Sequence, residues 1–310
     1  MKALLFAGQG SQYVGMTKDI ADAHVVARER LHLADETVGY ALSDIMWNGP
    51  GDRLTETRYT QPALFVHEAI ILDITGIGAR ASCVAGHSLG EYSALYAAGV
   101  LSFTDALSLV QLRADLMFEA GSQVPGTMAA VVGLDDEAVL QLCHQLDGID
   151  GQRLVAANFN APGQVVISGS AEYLRANLGR FKEAGAKIVK ELQVSGAFHS
   201  PLLKTAETPL AERIAATPFA NARIPIYANV TASPLSHSED LKQAITRQLT
   251  APVLWTASLR GMWQDGVRAF TEIGPGKVLQ GLVKRTLPEA AVDGIDTAAD
   301  VSGSLPTGQA

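Results

Sequence analysis

The sequence is poor in cysteine, in aromatic residues and in charge. Only two of its 310 residues are cysteine, Cys83 and Cys143. Two thiols cannot build a disulfide framework, and without a Cys-x-x-Cys pair or a Cys/His cluster the chain offers no zinc-ligand spacing. Aromatic residues make up 6% and charged residues 18%, against 47% hydrophobic residues. That balance excludes a disordered polar chain and a long coiled coil. Positive charge is the scarcer sign: 24 Lys and Arg stand against 32 Asp and Glu, a net charge of −8. The chain as a whole is therefore no nucleic-acid or anionic-membrane binder, although a local basic patch is still possible. No run approaches the ~20 apolar residues that cross a bilayer. The opening Met1-Lys2-Ala3-Leu4-Leu5-Phe6-Ala7-Gly8 has too short an apolar run for a signal peptide. The expectation is a cytoplasmic protein without a metal.

Glycine, by contrast, is frequent at 29 residues, as tight strand-to-helix turns require. At ~150 residues per domain the length suggests two folding units. A short buried strand at 3–7 leads into the loop 8–12 and a helical pattern at 17–35. Gln61-Pro62 opens another helix, with Ala63, Val66, Ile70 and Leu72 near helical spacing. A strand at 81–86 runs into an alanine-rich helix at 89–98, and a further helix follows at 104–119. The middle changes pattern: strand 127–133, helix 135–146, strands 154–158 and 164–168, helix 171–183, strand 187–194. This β-α-β-β-α-β order is the ferredoxin-like unit. Around it strands and helices alternate, with strands at 224–229 and 267–272 and helices at 240–249, 256–264 and 276–285. Such alternation predicts a parallel sheet covered on both faces. The expected class is α/β, with a large discontinuous subdomain (1–124 and 195–287), an inserted ferredoxin-like subdomain (125–194) and a flexible tail (288–310).

Gly86-His87-Ser88-Leu89-Gly90 is a Gly-x-Ser-x-Gly sequence between a predicted strand and a predicted helix. That context makes Ser88 a candidate nucleophile, because a sharp turn holds the serine exposed and the flanking glycines avoid clashes. The hydroxyl then sits at a helix N-terminus, where free amides favour developing negative charge, and the Leu89 amide is the natural first oxyanion donor. A bare match of this kind also arises by chance.

A serine hydroxyl needs a base. Of the seven histidines, His24, His32, His67 and His144 fall in predicted helices, His237 lies in a polar loop, and His87 precedes the serine and should point away from its hydroxyl. His199, in Ser195-Gly196-Ala197-Phe198-His199-Ser200-Pro201, lies where the chain re-enters the large subdomain, at the cleft. The alternative is a loop histidine bonded to backbone. No acidic residue between Ser88 and His199 claims the third place of a triad, and a backbone carbonyl could orient the imidazole instead. Arg113 interrupts the apolar stripe of Ala106, Val110 and Met117. A buried arginine is costly. It is either a structural ion pair or snorkelling side chain, or a fixed fork for a substrate carboxylate.

Taken together, Phe6-Ala7-Gly8-Gln9-Gly10-Ser11-Gln12, Thr60-Gln61-Pro62-Ala63-Leu64, Gly86-His87-Ser88-Leu89-Gly90-Glu91-Tyr92, Gln111-Leu112-Arg113, Gly196-Ala197-Phe198-His199-Ser200 and Glu272-Ile273-Gly274-Pro275-Gly276 resemble the malonyl-CoA:acyl carrier protein transacylases. These are acyltransferases of fatty acid and polyketide synthesis. The resemblance spans about residues 3–285 and implies an α/β-hydrolase-like core with the ferredoxin-like insert. It implies Ser88 as acylated nucleophile and His199 as base, the latter oriented by a main-chain carbonyl near Gln248. It also implies an oxyanion hole from the Gln9 and Leu89 amides, and Arg113 as clamp for the malonyl carboxylate. Beside His199, Phe198 either crowds an α-methyl branch or simply packs the cleft wall. The implied partners are malonyl-CoA and an acyl carrier protein, which brings the phosphopantetheine; no cofactor is implied, and a monomer is expected. Ala7 departs from the family, which usually has proline there. The stretch 58–65 and the Gly-Ala-Phe-His form lean toward stand-alone acyltransferases of polyketide systems. A fatty-acid transacylase, an editing acyl hydrolase and the malonyl-loading subunit of a malonate decarboxylase are alternatives. Arg175, Arg180, Lys182, Lys187, Lys190, Lys284 and Arg285 are candidates for a basic surface that meets an acidic carrier.

Overall fold

The structure, a computed structural model, describes residues 1–305. Its larger sheet contains β1 (Lys2–Phe6), β2 (Cys83–Gly86), β7 (Ile226–Tyr227), β8 (Pro234–Leu235), β9 (Ala269–Ile273) and β10 (Ala291–Ile295), in the order β10-β9-β1-β2-β7-β8. Every pair is parallel except β7 with β8. The central β1 is apolar on both sides because both faces of the sheet are covered. Leu4 and Phe6 join a core under the helices Thr57–Thr75 and Phe103–Gln123. Ala3 and Leu5 join the opposite core, with Trp255, Leu259, Leu279 and Val283 from the helices Trp255–Gln264 and Val278–Thr286.

The register places the site. Phe6 pairs with both Gly86 and Ile273, so β1, β2 and β9 end level with one another. The loops that leave them, 7–12, 87–89 and 274–277, therefore emerge side by side at the carboxyl edge, where open α/β sheets bind their ligands.

The smaller sheet contains β3 (Gly126–Val132), β4 (Leu154–Ala161), β5 (Gln164–Ser170) and β6 (Ile188–Glu191), all antiparallel, in the order β4-β5-β3-β6. The helices Asp136–Leu146 and Ala171–Glu183 bury Val139, Leu146, Leu174 and Phe181 against it in a core of its own. This is the predicted ferredoxin-like unit, and with the parallel sheet it gives the α/β class expected from the sequence.

Two expectations are corrected. The helical pattern at 17–35 is two helices, Lys18–Ala23 and Val25–Val38, separated by an extended His24. The period runs through the break because Ile20, Ala27 and Leu31 face the same core. The expected loose tail is ordered over 288–305. There β10 pairs in parallel with β9, and the helix Ala298–Ser304 is capped by a reciprocal Thr297–Asp300 pair. An edge strand is held by main-chain hydrogen bonds and needs no apolar alternation, so its composition gave no signal. The rest of that expectation, 306–310, lies outside the described residues.

Candidate active site

The nucleophile turn is enforced by packing. A Cβ on Gly86 would lie 1.8 Å from the carbonyl carbon of Gly90, so strand and helix close on each other only with glycine there. Between them Ser88 takes φ 53°, a strained left-handed value for a residue with a side chain. The turn is held on both sides. The Ser88 amide donates to Asn229 Oδ1 at 2.8 Å, and its carbonyl accepts from Gln248 Nε2 at 2.7 Å. Since the Ser88 amide is engaged, it cannot also hold an oxyanion. Among the described residues the amides of Gln9 and Leu89 have no protein acceptor, and both residues line the cavity at Ser88. The Gln9 side chain is anchored on Thr57 Oγ1 at 3.0 Å, which in turn meets Ser195 Oγ at 3.0 Å.

His199 reaches the serine from the other side of the cleft. Its Nε2 lies 2.7 Å from Ser88 Oγ. Its Nδ1 faces two carbonyls, Gln248 O at 3.0 Å and Ala251 O at 3.2 Å. Two acceptors on that side place the ring proton on Nδ1 and leave Nε2 as an acceptor for the serine proton. Burial, then the Arg113 charge, lower the imidazole pKa to about 3, so the ring is uncharged at physiological pH. The segment that carries it is let in by Gly121, where a Cβ would sit 2.1 Å from Ser195 O.

Arg113 is 1% exposed, which rules out snorkelling. Its Nη1 donates to Gln61 Oε1 at 2.7 Å, and its Nη2 donates to Ser88 Oγ at 3.0 Å and Gln248 Oε1 at 3.1 Å. All three partners are neutral, so the guanidinium has no direct ion pair in them. The face of Tyr92 lies 5.7 Å from Cζ. Burial pulls its pKa down from the ordinary arginine value.

These groups line one cavity of about 170 Å³ between the two sheets. Met128, Asn158, Val166 and Leu192 of the smaller lobe close it against Ser88, Arg113 and Met117 of the larger, with Phe198 and His199 from the connection. Ser88, His199, Gln9, Leu89, Arg113 and Phe198 thus share one cavity, and Gln248 stands behind it, bonded to Arg113, to the Ser88 carbonyl and to His199. His87 turns from the hydroxyl as expected: its Nε2 pairs with Asn160 Oδ1 at 2.8 Å and its ring packs edge-on against Trp255. Sequence reasoning missed the side chains of Gln61, Asn229, Gln248 and Glu91. The available signal was polar residues where burial is expected: Gln61 inside an apolar helix, Asn229 at a strand's end. No group of His, Cys, Asp and Glu suited to a metal occurs among the described residues.

The family described as acyl transferase domain matches residues 3–306. The malonyl CoA-acyl carrier protein transacylase of Bacillus subtilis is 42% identical over 284 residues, 91% of this chain and 89% of the relative. A crystal structure of an acyl carrier protein S-malonyltransferase from Vibrio cholerae superposes with TM-score 0.92 at 38% identity, covering 97% of this chain and 99% of that one. A malonyl-transacylase in complex with its type II PKS acyl-carrier protein superposes with TM-score 0.92 at 37% identity, covering 98% of both chains. With that match across nearly its whole length, the chain belongs to the acyl transferase domain family, alongside the malonyl-CoA:acyl carrier protein transacylases.

Proposed function

We propose that this chain transfers a malonyl group from malonyl-CoA to the phosphopantetheine thiol of an acyl carrier protein through an acyl-Ser88 intermediate. The observation that carries the reading is Arg113: a buried guanidinium whose described partners are neutral, touching the same hydroxyl that His199 activates. A substrate with its own carboxylate gives such a charge a direct ion-pair partner.

His199 Nε2 takes the Ser88 proton as Oγ attacks the thioester carbon. The Gln9 and Leu89 amides hold the oxyanion, each donor contributing about 3 kcal/mol. Collapse breaks the carbon–sulfur bond, and CoA leaves as a thiol with the proton from His199. The carrier thiol then gives its proton to His199 and attacks the ester. Ser88 leaves and recovers its proton from the imidazole. The cycle is ping-pong and needs no cofactor. Met117, Met128, Val166, Leu192, Val194 and Phe198 line the cavity and limit badly oriented water.

For the carrier, exposed Arg180, Lys182, Lys187 and Lys190 on the smaller lobe are the contact cations we favour. Arg175 is already paired with Glu172 and Glu191, and Lys284 and Arg285 donate to Ala290 O and Gln164 Oε1. The lean to a polyketide carrier rests on the one complex described above, and a fatty-acid carrier suits the same site and the same chemistry. The chain acts as a monomer in the cytoplasm in this reading, and no described helix is long and apolar enough to cross a membrane.

Labelled malonyl-CoA tests the reading. The expected result is a stable adduct on Ser88 that moves to a holo carrier protein, with carriers of fatty acid and polyketide synthesis offered in parallel. Rapid release of free malonate identifies an editing hydrolase instead, and no adduct with any acyl-CoA defeats the enzyme reading altogether.

A further inference from the structure

Glu91, three residues beyond the serine, takes no part in the chemistry above, yet it is 3% exposed and lies under the site. Its Oε2 accepts from Gln248 Nε2 at 2.6 Å, and its Oε1 accepts from the Asn229 amide at 3.2 Å. Both oxygens therefore act as acceptors, the pattern of an ionised carboxylate. Gln248 and Asn229 are the two residues whose side chains grip the Ser88 amide and carbonyl. Asn229 Nδ2 further donates to Gly86 O at 2.7 Å, at the start of the same turn.

The carboxylate also fixes which way the Gln248 amide points. With its NH2 drawn to Glu91 and to Ser88 O, its carbonyl oxygen is presented to Arg113 Nη2. The sequence of contacts runs guanidinium, amide oxygen, amide nitrogen, carboxylate. A carboxylate bonded directly to Arg113 would satisfy the charge but occupy the fork. One neutral amide in between compensates the charge without an ion pair, so the Nη2 bond to Ser88 Oγ can be exchanged for one to a substrate carboxylate.

We propose that Glu91 is a positioning residue: acting through Gln248 and Asn229, it clamps the strained Ser88 turn and serves Arg113 as a counter-ion one amide removed, which keeps the guanidinium free for the substrate's carboxylate. The second half of this inference rests on the malonyl-transfer reading; the first half does not.

Burial raises the Glu91 pKa to about 7, with Gln248, Asn229 and Arg113 opposing the rise. The titratable neighbours are Arg113 on the helix Phe103–Gln123 and Tyr92 on its own helix. His199 connects to the network through the Gln248 carbonyl, and Gln248 and Asn229 themselves do not titrate. The His199 imidazole, lowered to about 3, is neutral throughout the neutral range. An acid limb near neutrality in serine reactivity thus belongs to Glu91, with reactivity present above the limb and lost below it.

The test labels Ser88 with an uncharged fluorophosphonate ester between pH 5.5 and 8.5, in the wild type, Glu91→Gln and Glu91→Asp, with malonylation by malonyl-CoA in parallel. In Glu91→Gln an NH2 must face either the Gln248 NH2 or the Asn229 amide, donor against donor. The expected loss of labelling above the limb is roughly ten- to hundredfold, the upper end being that of a misplacement of about 1 Å. Its profile becomes flat, while Glu91→Asp keeps a limb displaced to lower pH. A wild-type profile without a limb, or the same limb and rate in Glu91→Gln, overturns the proposal. If Glu91→Gln does not fold, the wild type and Glu91→Asp decide: a limb that stays in place on shortening the side chain belongs to His199 and refutes it. A wild type that labels with the ester but resists malonyl-CoA defeats the malonyl reading alone.

Discussion

Arg113 Nη2 donates to Ser88 Oγ at 3.0 Å, so the same hydroxyl is held by the guanidinium and by the imidazole before any substrate arrives. In the malonyl-transfer reading proposed above, an incoming carboxylate draws that nitrogen off the serine, which would tie docking of the acid to release of the nucleophile. Arg113→Ala therefore should not act as a general loss of activity. Malonyl transfer is expected to fall by about 3 kcal/mol in kcat/KM, roughly 100-fold. Acetyl transfer should be changed far less. Equal losses for the two acyl groups, measured side by side, would refute the clamp.

His199 predicts a pH dependence of stability. Its pKa falls from the ordinary 6.5 to about 3 through burial and the Arg113 charge. Below about pH 6.5 the unfolded chain binds a proton that the folded chain refuses, so this residue costs stability progressively as pH drops toward 3. Glu91, raised from 4.5 to about 7, acts in the opposite sense, because its folded form takes up a proton first as pH falls. The difference between wild type and His199→Asn isolates the imidazole. Urea titrations from pH 7 to 4 should show the variant losing stability less steeply; parallel curves would show that the histidine titrates normally.

Phe198 is 6% exposed and lines the cavity beside the base. If its ring sets the width available to an α-substituent, Phe198→Ala should raise methylmalonyl loading relative to malonyl. Competition between the two thioesters for Ser88, read by mass spectrometry, gives the ratio directly. An unchanged ratio assigns the ring to wall packing alone.

The C-terminal segment is coupled to the loop that carries Gln9. Asp296 accepts from Tyr13 OH at 3.1 Å and from the Gly276 amide at 3.2 Å, and lies 3.2 Å from the buried His67 Nε2. His67 Nδ1 in turn meets Thr17 Oγ1 at 2.8 Å. Asp296→Ala removes these contacts, two of them solvent-exposed, and should cost about 1 kcal/mol. Deleting residues from 289 onward exposes the β9 edge and should lower the thermal midpoint further. A truncated chain as stable as the intact one would contradict the role seen for β10.

Much of the fold could be read along the chain because it depends on local periodicity. Leu4 and Phe6 against Ala3 and Leu5 mark a strand buried on both faces, and 126–191 announces its β-α-β-β-α-β order by alternating two periods. The strand β10 was not legible, since Ala291, Asp293 and Gly294 bury little and contribute a backbone ladder. Ser88 was legible because its turn demands glycine on either side.

Glu91 and Gln61 were visible only as letters of a motif, and Asn229 only as a polar residue at a strand's end, because each acts across more than 50 residues of sequence on an atom it meets in the folded state alone. The sequence by itself determined the class, the nucleophile turn and the order of the elements, all of which follow from neighbours within a few residues. Tertiary structure alone decided which lone pairs face which protons: that His199 leans on two carbonyls, that Arg113 rests on neutral amides, and that a carboxylate stands behind one of them. Hydrogen bonds and buried charges are set by distances of a few ångströms between remote segments, and no periodicity along the chain encodes those.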